Sequence, residues 1–574
     1  MLEREVASLQ KKINEKYTGI TVSLKDDCVV LSGTLKDYDA IVEIGLLAAS
    51  TKHFYGVIND IKLLGFKETP MHVTKAKDQK YNGLHCDVLV IGGGIVGCAI
   101  LRELSKYKID AVLVEKENDV ALQASSRNDG CIHTGVDLHK GSKKLEYLQR
   151  SVPIYPELAR DLGVEYNKCG QIIAFDKGVY KLAKPIFMGI AKRNKIQEVK
   201  FLNEEEIKKL EPNINPDTQC GVLFGTGAVV CPYNMTIALA ENAISNGAKV
   251  LLETAVLGMK VINHKIESVQ TTRGTIYPKV VVNAAGVYAD VIADYAEDRF
   301  FTIHPRKGTN SILDKKAACK LSSSSIATLD IHSNVSGHHS KGGGVVLTVD
   351  KNPLIGPTAH EVPNREDVSV EAKDIQEAFA KHIRTMPKLN GADTITYFSG
   401  IRAATYEEDF VIQKGKWTSN IVHAAGIQSP GITAAPAIAI DIVKYCAEEL
   451  NEILMKNPTF DGKRHVVPPL AKLDPTSRNE YIKKNPDYGI IVCRCEEISR
   501  GEIIEALHRP LQVNTVDGIK RRVRAGMGRC QGGFCQPLVL QIMAQELHLP
   551  LEKINKKGDA NILLGNIKEG ESHA

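Results

Sequence analysis

What the chain lacks narrows its function first. It has no excess of charge of one sign: 73 Lys and Arg against 68 Asp and Glu leave a formal net charge of +5 over 574 residues. Basic residues are scattered, so no nucleic-acid surface is expected. No apolar run approaches the length of a membrane span, and the amino terminus, Met1-Leu-Glu-Arg-Glu5, has no signal-peptide apolar core. A cytoplasmic protein follows as the expectation. Hydrophobic residues at 43% and charged residues at 25% are ordinary globular values, but the length exceeds what one core supports and predicts three or four domains. Cysteine is not scarce. Nine of thirteen cysteines are spread over the first 446 residues and four cluster between 493 and 535. Disulfides are not expected in that compartment, so the cluster calls for a metal.

What is present centres on Asp87 to Gly97, an apolar run breaking into glycines at G-x-G-x-x-G spacing: Gly92, Gly94 and Gly97. This predicts strand, tight turn and helix. The first glycine lets the chain turn, the second lets backbone N–H groups approach a pyrophosphate, and the third brings helix against strand. A second apolar run, Ala111 to Val114, ends in Glu115, eighteen residues after Gly97, where a carboxylate for a ribose hydroxyl belongs. A dinucleotide, FAD or NAD, is the expectation.

Residues 1–66 precede this unit and look independent of it: strands at Ile20–Leu24, Val29–Gly33 and Gly56–Leu63, and a helix within 35–52. The Leu31-Ser-Gly33 strand end and the late Gly56-Val57 resemble a BON domain. That resemblance implies a membrane or protein contact through residues 1–66; the plainer reading is an adaptor packed on the larger body. Residues 67–83 form a polar linker.

From Ala124 to Gly135 the chain is rich in small and hydroxyl residues, and here it resembles the FAD-dependent oxidoreductases of the D-amino-acid-oxidase and glycerol-3-phosphate-dehydrogenase superfamily. The resemblance implies that Ser125, Ser126 and Arg127 run beside the FAD pyrophosphate and that His133 lies over the flavin as the base. It implies that a strand Lys249–Val256 passes the adenine at Val256, and that Val280–Gly286 ends near the pyrophosphate at Ala285 and Gly286. Pro232 opens an amphipathic helix in a segment, Gly227 to Asn242, that also matches the family. Lys341, on a glycine-rich stretch, and Arg402, in Ser399-Gly-Ile-Arg402, are implied at the substrate. A planar guanidinium suits phosphate or carboxylate through two parallel hydrogen bonds. His338 and His339 read as loop residues. The loop after Ile421 is implied at the flavin edge, with Ser429 near substrate and Gly426, Gly431, Ile432 and Thr433 against the cofactor. A helix starting there would stabilise negative charge on the reduced ring.

After a linker, 453–488, the cysteines Cys493, Cys495, Cys530 and Cys535 stand at C-x-C-x34-C-x4-C spacing. Four thiolates in two tight pairs suit zinc or an iron-sulfur cluster. Residues 489–550 resemble the bacterioferritin-associated-ferredoxin-like [2Fe-2S] domain, in Cys493-Arg-Cys-Glu496 and in Gly526 to Cys535. The tail, 551–574, has no readable role.

The expected architecture is α/β: a Rossmann-like FAD domain with an inserted mixed-sheet substrate domain, together spanning 84–452, a small amino-terminal α/β module and a small carboxyl-terminal helical [2Fe-2S] domain. The expected activity is FAD-linked oxidation of a small anionic hydroxy substrate, with glycerol 3-phosphate first and L-2-hydroxyglutarate or another 2-hydroxyacid second. Electrons would leave through the cluster to a partner redox protein or quinone. A contrasting expectation is an electron-transfer flavoprotein subunit serving a separate catalytic partner.

Overall fold

The computed structural model describes residues 2–51, 53–322, 325–328 and 343–563. Its first large sheet is built on the strand Leu84–Ile91. Val88 and Val90 feed one core while Leu89 and Ile91 feed another. Burial on both faces is why this stretch is continuously apolar instead of alternating. Ala111–Val114 and Lys249–Leu251 extend the sheet in parallel on one side, Gly274–Asn283 and Ile421–Ala425 on the other. The helix Ile95–Leu104 supplies the crossover that parallel neighbours require. The single strand expected over 249–256 is instead two. Glu253 takes a positive φ of 55°, and the N–H groups of Glu253 and Thr254 leave the sheet to donate to the carbonyls of Glu117 and Glu115. Val256 then opens an antiparallel meander that returns through Lys265–Thr271 to Gly274–Asn283.

Among the described residues the second large sheet has nine strands of mixed direction. Its pair of long strands, Ile303–Leu313 and Thr394–Thr405, runs antiparallel with Arg306 opposite Arg402. The two sheets alternate along the chain, so the Rossmann-like unit is interrupted by the other, as expected.

The helix expected after the flavin-edge loop spans Gly431–Leu450 and contains Pro436. Proline has no N–H for the carbonyl four residues back, and the Tyr155 hydroxyl donates to that Ile432 carbonyl instead. Ser151 performs a similar service one turn on, donating to Ala434 O and accepting from Ala437 N, both at 3.0 Å.

The amino-terminal unit runs helix, strand, strand, helix, strand: Leu2–Asn14, Ile20–Lys25, Cys28–Leu35, Tyr38–Ala49 and Val57–Leu63. The first helix was not anticipated; its Leu9 and Ile13 are buried against the sheet. Asp37 caps the second helix by accepting from Asp39 N.

The carboxyl-terminal unit packs helices Arg500–Leu507, Val516–Val523 and Gln536–Leu547 around its own core. That core includes Ile554, fully buried, so the unit runs past residue 550. Nor is the stretch before it free. Asp461 and Lys463 carbonyls accept from Asn242, and Arg464 pairs with Glu241 at 2.6 Å. Among the described residues no helix is long and apolar enough to cross a membrane.

Candidate functional site

The glycine turn has the geometry its spacing predicts. Gly92 has φ +111°, and a Cβ there would lie 2.5 Å from the Ala284 carbonyl. At Gly97 a Cβ would meet the Gly92 carbonyl at 1.9 Å, so only glycine lets the helix seat on the strand. Gly94 is the helix N-cap and offers no side-chain cap; Ile95 N–H donates to Ser125 Oγ at 2.9 Å. Glu115 accepts from Gly93 N at 2.6 Å and Glu117 N at 2.9 Å. Burial pushes its carboxyl up despite those two bonds.

This turn forms one wall of a cavity of about 510 Å³ lined by both large sheets. Gly92, Gly94, Glu115, Ser125, Arg127, Val256, Ala285, Gly286, Gly431 and Ile432 all line it, with His133, Arg402 and Ser429. Gly97 is packing rather than wall. Ser126 turns its hydroxyl to Gln123 O at 3.3 Å. Gly426 holds φ +65° beside Thr405, and Thr433 is fully buried behind the wall. Lys341, His338 and His339 lie outside the described residues.

The chemistry-bearing side chains are brought together from distant segments. His133 Nε2 is 3.2 Å from Ser429 Oγ, and His133 N–H donates to Thr433 Oγ1 at 3.0 Å. Thr433 therefore holds the backbone of His133 while Ser429 meets its ring. Arg402 lies against Gly308, where a Cβ would fall 2.5 Å from its guanidinium. Its one hydrogen bond among the described residues goes to the Thr358 carbonyl at 3.1 Å. Burial, then the neighbouring Arg306, pushes Arg402 down to about 10, so at neutral pH it remains a cation.

Arg306 also lines the cavity but is engaged. Glu361 takes its Nε at 2.5 Å and Glu408 its Nη2 at 2.6 Å; Gln428 bridges to both Arg306 and Glu408. Burial opposes ionisation of Glu408, yet Arg306 and Lys144 pull its carboxyl down to about 2. In the sequence this region is only a short basic stretch, His304 to Gly308, and the acidic pair Glu407-Glu408 stands about a hundred residues on.

The cavity fits a dinucleotide. Two helix N-termini without side-chain caps, at Gly94 and Pro430, reach its wall, and their N–H groups need acceptors. Asn310 Oδ1 is buried on the same wall with no partner among the described residues.

The late cysteines lie in two pairs. Cys493 and Cys535 are buried, Cys495 is exposed and Cys530 half-buried. Cys495 and Cys530 sulfurs are 3.8 Å apart, close to the roughly 3.8 Å span of two thiolates on one tetrahedral metal at about 2.3 Å. A hydrogen bond from Cys535, present only while that thiol keeps its proton and is itself pushed up, and backbone N–H groups of Gly526 and Glu496 lower the Cys493 thiol. N–H groups from Phe534, then Gly532 and Gly533, lower Cys530. Such donors stabilise the thiolates an iron-sulfur cluster requires. The described residues do not bring three metal-binding groups into one closed set.

Comparison with known proteins agrees with this geometry. Residues 87–444 match the family described as FAD dependent oxidoreductase, and residues 491–545 match the BFD-like [2Fe-2S] binding domain. A glycerol 3-phosphate dehydrogenase of Caloramator mitchellensis is 36% identical over 488 residues, covering 83% of this chain and 98% of the relative. A glycerol 3-phosphate oxidase of Mycoplasma pneumoniae is 30% identical, covering 66% of this chain and 97% of the relative. The solved structure of a dithionite-reduced L-alpha-glycerophosphate oxidase from Mycoplasma pneumoniae, with FAD bound, superposes with a TM-score of 0.61 at 28% identity. It covers 67% of this chain and 99% of that one. With its glycine turn, its interrupted Rossmann-like sheet and its four late cysteines, the chain belongs to the FAD-dependent oxidoreductase family and carries a [2Fe-2S]-binding domain at its carboxyl-terminal end.

Proposed function

We propose that the chain oxidises glycerol 3-phosphate to dihydroxyacetone phosphate. The observation that carries this reading is Arg402, a cavity guanidinium with a carbonyl partner but no carboxylate among the described residues. It shares the cavity with a His133–Ser429 pair. A guanidinium of this kind retains hydrogen-bonding capacity for a phosphate, and Gly308 gives it room. The substrate hydroxyl takes the place of Ser429 Oγ at His133 Nε2 and gives its proton to that nitrogen, while Thr433 keeps the histidine backbone in place. Ser125, Glu115 and the two open helix N-termini would hold FAD. When bound, FAD would supply the acceptor for hydride from the carbinol carbon, and Cys493, Cys495, Cys530 and Cys535 would hold a cluster suited to one-electron relay.

A dehydrogenase is favoured over an oxidase because the Mycoplasma oxidase is matched over nearly its full length by 66% of this chain. The Caloramator dehydrogenase is matched over nearly its full length by 83%. The extra length includes sequence that the oxidase does not need. The electron acceptor would be a redox protein or quinone meeting the exposed side of the cysteine site. Anaerobic addition of glycerol 3-phosphate or of 2-hydroxyglutarate to the FAD-loaded chain tests the substrate. Bleaching of the flavin band by the phosphate ester is expected; bleaching by 2-hydroxyglutarate alone would overturn it.

A further inference from the structure

Three successive side chains, Tyr406, Glu407 and Glu408, leave one turn for two destinations. Tyr406 enters the core of residues 1–66, packed among residues such as Ile41 and Ile44. Its hydroxyl accepts from Asn59 Nδ2 at 2.9 Å, and a Cβ on Gly45 would lie 2.2 Å from its ring. Glu407 accepts from Val57 N, in the same amino-terminal unit, at 3.0 Å. Glu408 points the other way, to Arg306 at 2.6 Å and Gln428 at 2.7 Å on the cavity wall. A second route leads to the same guanidinium. The Tyr406 ring stacks on His304 with centroids 4.6 Å apart, His304 Nδ1 is 2.8 Å from Glu361, and Glu361 binds Arg306 Nε at 2.5 Å.

Arg306 and Arg402 are directly opposite in the antiparallel ladder, where two like charges destabilise each other. Glu361 and Glu408 draw Arg306 aside and neutralise it, leaving Arg402 as a cation available to an anion. The amino-terminal unit grips that ladder at its end: Asn59 N–H donates to Thr302 Oγ1 at 3.0 Å, one residue before the strand that carries Arg306. Tyr406 follows directly on the strand that carries Arg402.

We propose that residues 1–66 position the anion pocket, holding Glu408 and Glu361 on Arg306 through the seat of Tyr406 so that Arg402 is free to meet the substrate phosphate. This rests on Arg402 as the phosphate holder. Tyr406, His304, Glu361 and Glu408 are positioning residues; none is assigned a proton or a bond to substrate.

The test uses the full-length, FAD-loaded chain and the variants Gly45→Val, which pushes on the Tyr406 ring, Asn59→Ala and Tyr406→Phe. Steady-state KM and kcat for glycerol 3-phosphate are read beside the dissociation constant for inorganic phosphate, followed by perturbation of the flavin spectrum, and the melting temperature. The proposal expects Gly45→Val to raise both KM and the phosphate constant about tenfold with kcat within about twofold. Asn59→Ala should raise both about threefold, and Tyr406→Phe, which keeps the ring stacked on His304, less than Asn59→Ala. Unchanged KM and phosphate constant in a Gly45→Val protein that melts lower would overturn it, because the unit would then be unseated without consequence for the pocket. Should Gly45→Val not fold, an Asn59→Ala protein with both constants unchanged overturns it equally. If the unsubstituted chain fails to turn over glycerol 3-phosphate, the substrate reading falls by itself, while the phosphate constants still decide the role of residues 1–66.

Discussion

The units at the two ends of the chain dock on the same central body by different physics. The amino-terminal unit is held mainly by shape, with one ion pair among the described residues, Asp60 to Arg299 at 3.0 Å, and Lys416 lying over the Tyr55 ring. Ile58 and Cys28 join a core with Phe300, Phe301 and Ile303, Tyr406 enters the unit itself, and at Gly56 a Cβ would lie 1.9 Å from the Phe300 carbonyl. The carboxyl-terminal unit is held by ion pairs. Arg522, with no exposed side-chain surface, binds Asp119 at 2.9 Å, and Arg521 joins it at 3.1 Å. Arg524 meets Asp350 at 2.7 Å and Glu496 at 2.8 Å; Lys315 and Arg529 reach across to Glu496 and Asp314. Asp119 lies on the loop whose Ala121 N–H donates to Gly93 O at 2.9 Å. The cysteine-bearing unit is thus tied to the loop that shapes the glycine turn. The first interface rests mainly on packing with a single Asp60–Arg299 pair among the described residues, and the second on several ion pairs.

The sharpest way to break this contrast is Asp119→Ala. It leaves Arg522 buried beside Arg521 without its carboxylate and should cost about 3–5 kcal/mol. Limited proteolysis should then release a fragment carrying the late cysteines while residues 1–66 stay protected; equal protection of both ends would contradict the contrast.

Gly56→Ala addresses the other interface. Its methyl must displace the Phe300 backbone, an overpacking expected to cost about 1–3 kcal/mol. Because no charge is removed, that loss should be the same in low and high salt when measured by melting temperature.

Acid should distinguish the two ends as well. Burial opposes ionisation of Asp119, but Arg522 and then Arg521 hold its carboxyl below the usual range. A carboxyl lowered in the folded state adds stability above its unfolded pKa, about 3.9, and loses it as pH falls through the lower folded value. The carboxyl-terminal unit should therefore loosen first on acidification below about pH 4, as read by fragment release. Release of the amino-terminal unit first would count against the account.

Smallest of all is Lys315→Ala. The lysine is 40% exposed in its pair with Glu496, so its loss should cost under about 1 kcal/mol and vanish in high salt.

How much of this was legible in the sequence depends on how local the cause is. The glycine turn could be read because a tight turn and a close helix dictate glycine at fixed spacing, and Glu115 because the next strand ends there. The cysteine spacing was legible for the same reason. The family likeness led to His133, Arg402 and Ser429, and the fold places all three in one cavity. The charge network was not legible, because Arg306 and Glu361 are joined only by strand register and Glu408 and Gln428 reach them from loops. Nor was the Asp119–Arg522 pair, whose partners are 403 residues apart. The break at Glu253 was hidden because a backbone bonding to an acidic loop leaves no pattern in side-chain hydrophobicity. The helix Leu2–Asn14 escaped notice although its Leu9 and Ile13 are four apart, the spacing of one helix face.

The central claim is that glycerol 3-phosphate reduces the flavin and that electrons then leave through the four-cysteine site. Anaerobic rapid mixing of the fully loaded chain with glycerol 3-phosphate, with flavin and cluster absorbance followed together, tests it most directly. Flavin bleaching followed by cluster bleaching is expected, with Cys530→Ser retaining the first phase and losing the second. A flavin left oxidised by glycerol 3-phosphate, or a cluster left oxidised beside a fully reduced flavin, would contradict it.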